Sequence, residues 1–417
     1  MGMTIGEKIL ARASGKESVK PGEIINARVD LCMTNDATTH ISIDIFEKQL
    51  KAEKVFDPKK VVFIIDHNVP SESAKTAEVH KKMRNFSQNY NLPFYEGAGI
   101  CHQIMVEDYI VPGQLIIAAD SHTCSYGGLG AFGTGVGCTD FTSVMNRGEL
   151  WLMVPETFKF IIEGDFKIGT YARDLILKII GDIGANGANY KIMEFSGSAF
   201  KKLTIDDRIV LCNMAVEAGA KSGLVEPDEL VVEYVRSMGR QMMNLYKSDN
   251  DAHFEKIYRY NLDELEPMVA KPHLVDNVVP VTEIGEVKVD QCFIGSCNNG
   301  RIEELRVAAQ ILKGKKINPF VKLLISPASK RTFLEALEEG LIDIFIDSGA
   351  ITLNPNCSVC WGGCQGVIGE GETLISTGTR NFKGRAGHAD SNVYLASAAT
   401  VAASALTGKI TDPRRID

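Results

Sequence analysis

At 417 residues the chain exceeds what one hydrophobic core holds, so two or three domains are expected. Its 45% hydrophobic and 24% charged residues make an ordinary globular composition, and the net charge of −8 argues against broad binding to nucleic acid or an anionic membrane. A local basic pocket for an anionic substrate stays compatible with that balance. The opening Met1-Gly2-Met3-Thr4-Ile5-Gly6-Glu7-Lys8 lacks the apolar core of a signal peptide, so a soluble, cytoplasmic protein is expected. Ten cysteines in a reducing compartment read as metal ligands or catalytic groups before disulfides.

In chain order, Val61-Val62-Phe63-Ile64-Ile65 reads as a strand running into Asp66-His67, and Leu115-Ile116-Ile117-Ala118-Ala119 as a strand running into Asp120-Ser121-His122. Next, Gly128-Leu129-Gly130-Ala131-Phe132-Gly133 matches the dinucleotide-binding string. That fingerprint turns directly from strand to helix, whereas residues 120–126 intervene here, so a nicotinamide site is rejected. The glycines are expected to permit close backbone approach instead. A boundary falls near Pro155, where Phe158 to Gly164 begins a new strand. Lys247-Ser248-Asp249-Asn250-Asp251, followed by Pro267, Pro272 and Pro280, reads as a connection to a C-terminal domain starting near Ile284.

Cys292-Phe293-Ile294 and Val321-Lys322-Leu323-Leu324-Ile325 are further strands, and the segment from Ala328 to Leu334 is helical. The run from Val393 to Leu406 is too short to span a bilayer, and its alanines predict a closely packed helix. This alternation predicts an α/β protein with largely parallel sheets, divided as 1–157, 158–283 and 284–417.

The cysteines cluster. Cys357-Ser358-Val359-Cys360 is a C-x-x-C in a Gly-rich loop, and Gly295-Ser296-Cys297-Asn298-Asn299-Gly300 sits between a strand and a helix. Three cysteines on two loops can hold three corners of a cubane cluster and leave one iron open. Zinc with Cys364 as a fourth ligand, a redox pair, or a fully ligated electron-transfer cluster compete with that reading.

Five strings in one order, Asp66-His67-Asn68-Val69-Pro70, Gly99-Ile100-Cys101-His102-Gln103, Asp120-Ser121-His122-Thr123, Gly295-Ser296-Cys297-Asn298-Asn299-Gly300-Arg301 and Arg380-Asn381-Phe382-Lys383-Gly384-Arg385, span nearly the whole chain. Together with Leu211-Cys212-Asn213-Met214-Ala215 they resemble the large subunit of the isopropylmalate isomerase and homoaconitase branch of the aconitase superfamily. The resemblance implies three α/β/α domains around a [4Fe-4S] cluster on Cys297, Cys357 and Cys360. It implies a hydro-lyase acting on a hydroxy di- or tricarboxylate, and a separate small subunit that swivels over the cleft and carries the remaining base.

By the same resemblance, Asp66 orients His67 as proton donor. His102, Asp120 and His122 surround the hydroxyl or water, Glu194 is the acid beside it, and Ser121, Arg380 and Arg385 bind substrate. Cys364 stands where relatives commonly carry histidine, Thr379 where they carry asparagine, and Trp361 is bulky for its place beside a ligand. Such changes fit a paralogue acting on a dimethylmalate- or citraconate-type acid. A non-catalytic Fe-S or zinc protein is the reading from another class. Its RNA-binding version is disfavoured by the charge and by the lack of a basic–aromatic stripe.

Overall fold

The computed structural model describes residues 2–416. Its framework is three sheets, in which strands with every side chain buried, such as Leu31–Asn35, Val61–Ile65 and Gln291–Ile294, lie between helical layers. The first sheet is all parallel, in the spatial order Phe94–Glu96, Val61–Ile65, Leu31–Asn35, Leu115–Ala118, Phe132–Gly135. The chain builds outward from Leu31–Asn35 in both directions. The crevice beyond the carboxyl ends of the central strands is where open α/β sheets place their ligands.

The second sheet is also parallel and runs Ser222–Val225, Ile192–Ser196, Thr157–Glu163, Lys256–Asn261. The third has seven strands: Val278–Pro280, Met268–Ala270, Asn392–Leu395, Thr373–Ser376, Gln291–Ile294, Lys322–Ile325 and Ile351–Thr352. Met268–Ala270 and Val278–Pro280 lie in the stretch read from sequence as a connection. They pair antiparallel with each other, and Ala270 lies opposite Leu395 at the sheet's edge. The layered, largely parallel α/β architecture is the one the sequence predicted.

The strand at 61–65 is observed with the predicted bounds, and those at 115–118, 291–294 and 322–325 shift by one residue at an end. The alanine-rich run is divided: Asn392–Leu395 is a strand, and the helix is Ala398–Thr407, packed against the helix Ile302–Leu312. Among the described residues no helix is long and apolar enough to cross a membrane.

The glycine run forms the joint between the first and second sheets. The helical segment Ser121–Leu129 packs against the helix Ile205–Asn213 and the strand Ser222–Val225. A Cβ on Gly127 would sit 1.7 Å from Gly223 O, one on Gly128 2.8 Å from Ile209 N, and one on Gly133 2.1 Å from Thr123 O. Backbone meets backbone there, so only glycine is tolerated. Gly127→Ala is therefore expected to destabilise the chain by at least about 1–3 kcal/mol. Gly137→Ala, whose Cβ meets nothing within 4 Å, should cost under about 1 kcal/mol. Thermal melts of the two variants check this.

Candidate active site

The first sheet delivers two acid–histidine turns. Asp36 follows Leu31–Asn35, and its carboxylate accepts the backbone N–H groups of Asp66 (3.0 Å), His67 (3.0 Å) and Asn68 (2.8 Å), so the loop after Val61–Ile65 folds around it. Burial alone would raise the Asp36 carboxyl, but the imidazoles of His67 and His80, each 3.6 Å away, hold it far below its ordinary value. His67 Nδ1 lies 2.7 Å from Asp66 Oδ1 and 3.6 Å from Asp36 Oδ1. Burial would strip its proton, yet the charges of Asp66 and Asp36 outweigh that and raise its pKa well above 6.5. The two carboxylates thus favour the protonated form of His67, whose Nδ1 faces Asp66.

The second turn follows Leu115–Ala118. Asp120 accepts from His102 Nε2 (2.8 Å), Asn35 Nδ2 (3.1 Å) and the His122 N–H (2.9 Å). Burial raises its carboxyl, and the charge and hydrogen bond of His102 overcome that and keep it ionised. His122 Nε2 lies 2.9 Å from Glu217 Oε1, which also accepts from Arg380 Nε at 2.8 Å, while Arg380 Nη2 donates to Ser121 Oγ at 2.9 Å. Burial and the Arg380 charge lower the His122 pKa, so this imidazole is neutral. Burial raises the Glu217 carboxyl, but the His122 hydrogen bond and Arg380 bring it below its ordinary value.

The third sheet delivers the thiols. Gly295 packs so closely that a Cβ would lie 2.9 Å from Ser326 O, and Ser296 takes φ +77° to turn Cys297 inward. Arg301, 1% exposed, donates to Cys297 O and Asn298 O (both 2.8 Å) and to Gln103 Oε1 (2.8 Å), locking that turn to the helix Cys101–Asp108 of the first unit. Asn213 Nδ2 lies 3.2 Å from Cys297 Sγ. On the other loop, the Cys357 N–H donates to Asp66 O (2.9 Å), its Sγ lies 3.7 Å from Asp66 Oδ2, and Cys360 Sγ lies 3.8 Å from Thr379 Oγ1. Burial raises the Cys297 and Cys357 thiols, a cost that metal coordination relieves by taking the thiolate directly. Three such thiols on one cavity, with hydroxyl, amide and buried guanidinium groups around them, form a donor set suited to an iron–sulfur cluster.

One cavity collects Cys297, Cys357, Cys360, His67, His102, Asp120, Ser121, His122, Arg380 and Arg385, with Asp66 directly behind His67. It adds Cys101, Trp361 and Thr379. Glu194 is not there. It is 2% exposed on the strand Ile192–Ser196, where both carboxylate oxygens take the Ser248 hydroxyl (2.8 and 2.9 Å) and Lys159 Nζ lies 3.8 Å away. Its strand faces it away from the cavity, and Glu217 occupies the acidic place beside His122. Cys364 also lies outside the cavity, near Glu72, Asp36 and the Val69 backbone, so the fourth thiol beside the trio is Cys101. Asp36 and Glu217 were missed from sequence. Asp36 was detectable as an acid ending the strand Leu31–Asn35, and Glu217 follows directly on the Leu211-to-Ala215 stretch.

A largely parallel α/β frame that gathers thiols, paired acid–histidine turns and arginines at the carboxyl ends of its strands has the layout of an enzyme active site. The sequence matches the aconitase family (aconitate hydratase) over residues 7–408, and the chain belongs to that family, whose chemistry is that of hydro-lyases. It is 48% identical to the 3-isopropylmalate dehydratase large subunit of Hydrogenobaculum sp. (strain Y04AAS1), over 100% of this chain and 99% of that one. It is likewise 48% identical to 3-isopropylmalate dehydratase large subunit 1 of Pyrococcus furiosus, at 100% and 99% coverage. The holo crystal structure of Thermococcus kodakaraensis aconitase X shares the fold, with TM-score 0.51 at 11% identity over 85% of this chain and 84% of that chain.

The charge state of the His122–Glu217–Arg380 triangle fixes a pH dependence. His122 has a native pKa below 6.5, so the unfolded chain binds the extra proton first and stability is lost as pH falls below 6.5. Glu217, depressed below 4.5, adds a loss of the same sign as pH falls further. Glu217→Gln leaves Arg380 without its carboxylate and is expected to cost about 3 kcal/mol at pH 7. Because Glu217 raises the His122 pKa, its loss should also steepen the decline below pH 6.5 in a melting-temperature profile recorded from pH 8 to pH 4.

Proposed function

We propose that this chain is the cluster-bearing large subunit of a hydro-lyase that interconverts alkyl-substituted malates of the 3-isopropylmalate type by dehydration and rehydration. Carrying that reading is one cavity in which Cys297, Cys357 and Cys360 meet the His67 imidazole and the guanidinium groups of Arg380 and Arg385. The names of full-length relatives support it.

The three cysteines would hold a [4Fe-4S] cluster, which supplies when bound a Lewis-acidic iron for a substrate hydroxyl and carboxylate. The rest is the work of side chains. Arg385 and Arg380 receive carboxylates. His67 Nε2 holds the proton that a departing hydroxyl needs, and Asp66 and Asp36 keep that proton in place between turnovers. Asp120, braced by His102, and neutral His122 orient water for the return step.

Cation counting favours a dicarboxylate over a tricarboxylate. Arg380 already shares Glu217, and His67 is matched by Asp66 and Asp36, so Arg385 is the cavity's one unmatched positive charge among the described residues. Homocitrate-type substrates fit that balance less well, whereas dimethylmalate- and citraconate-type acids fit it equally. The base that removes the carbon-bound proton is assigned to a separate small subunit, and the pair to the cytoplasm, where unpaired thiols persist.

Anaerobic reconstitution with iron and sulfide should give a brown protein, and each of Cys297→Ser, Cys357→Ser and Cys360→Ser should lose the visible absorption band. A protein that takes up only zinc overturns the proposal. With a co-expressed small subunit, His67→Asn is expected to lower kcat about 10²–10⁴-fold with the absorption spectrum unchanged.

A further inference from the structure

The indole of Trp361 meets two groups of the cavity and one beside it. Its Nε1–H donates to Asn68 Oδ1 at 3.0 Å, and its ring meets the His67 imidazole with centroids 4.9 Å apart and planes at 88°. The Arg385 guanidinium carbon lies 5.8 Å from its ring centroid. Two glycines fix the loop. Gly362 has φ +76°, and a Cβ on it would lie 2.0 Å from Arg385 O; one on Gly363 would lie 2.6 Å from Trp361 Nε1. The loop carrying Trp361 thus rests directly on the backbone that carries Arg385.

The two arginines differ in what holds them. Arg380 is anchored by Glu217 and Ser121. Arg385 has, among the described residues, no carboxylate or hydrogen-bond partner for its guanidinium, and its Nε is buried and unpaired. A planar cation without an anion, steadied by an aromatic ring, is oriented to receive a carboxylate. Trp361 is also, among the described residues, the one large apolar side chain on a cavity otherwise walled by thiol, imidazole, hydroxyl, carboxylate and guanidinium groups. Among the described residues of the cavity wall, an alkyl group on a bound diacid has this indole to rest against.

We propose that Trp361 sets substrate selectivity, seating Arg385 for one substrate carboxylate and forming the apolar wall for the substituent. This rests on the function proposed above. Trp361 bonds to no reacting atom, so it is a positioning and specificity residue.

The test uses the reconstituted heteromer and a panel of malates bearing no substituent, one methyl, two methyls or an isopropyl group. Trp361→Ala is expected to lower kcat/KM for the alkylated malates about 10–100-fold relative to unsubstituted malate, because hydrophobic-pocket contacts carry discrimination of that size. Trp361→Phe and Trp361→Leu keep an apolar wall and should retain the ranking, while Leu, which gives Arg385 no aromatic face, raises KM for every diacid more than it changes kcat. Arg385→Lys should raise KM across the panel without reordering it. Iron and sulfide content is read for each variant, so a lost cluster is not mistaken for lost selectivity, and the Phe and Leu variants decide the matter if the Ala variant fails to fold. If Trp361→Ala and Trp361→Leu leave the ranking and KM unchanged while the wild type turns over the alkylated acids, this inference is overturned alone. A wild type inactive on the whole panel overturns the function itself.

Discussion

The buried carboxylate of Asp66 ties three distant segments together. It holds the His67 ring at 2.7 Å, accepts the Cys101 N–H at 2.6 Å and lies 3.7 Å from Cys357 Sγ, while its own carbonyl takes the Cys357 N–H. A fully enclosed carboxylate of this kind is tolerated only when each lone pair has a partner, so the three segments cannot drift apart without stranding a charge. The cavity's geometry descends from that requirement. Arg301 repeats the logic from the other side, with its guanidinium bridging the Cys297 turn and Gln103. Between them, these two ions bind the first unit to the third.

Two imidazoles on one cavity have their pKa values pushed in opposite directions by their neighbours. His67 faces two carboxylates and keeps its proton; His122 faces Arg380 as well as Glu217 and gives its proton up. The division needs no special residue, only a difference in who sits next to whom. It separates a group that stores a proton from one that orients a neutral molecule, within one enclosed space.

Those parts of the site in which an acid or histidine directly ends a buried apolar strand were legible in the sequence, because strand ends are where such sheets expose their chemistry. Asp66-His67 and Asp120-Ser121-His122 are of this kind. Glu217 was harder to read: it meets His122 across 95 positions of sequence, and only its nearness to the Leu211-to-Ala215 stretch marks it. Glu194 misled for a related reason. Its strand is buried on both faces, so alternation gives no direction, and family order alone could not tell which side its carboxylate takes. The strands themselves were legible to within a residue or so, whereas the short antiparallel pair at 268–280 was hidden by prolines that look like linker.

The glycine joint and the two bridging ions also bear on the order of synthesis. His67, Asp120 and the sheet that presents them leave the ribosome well before Cys297, Cys357, Cys360 and the strands on which those thiols hang. Domains fold broadly in the order they emerge. A nascent chain therefore carries half a cavity, already shaped and charged, before the thiols arrive to close it. The cavity is complete only after translation has passed Cys360, Arg380 and Arg385.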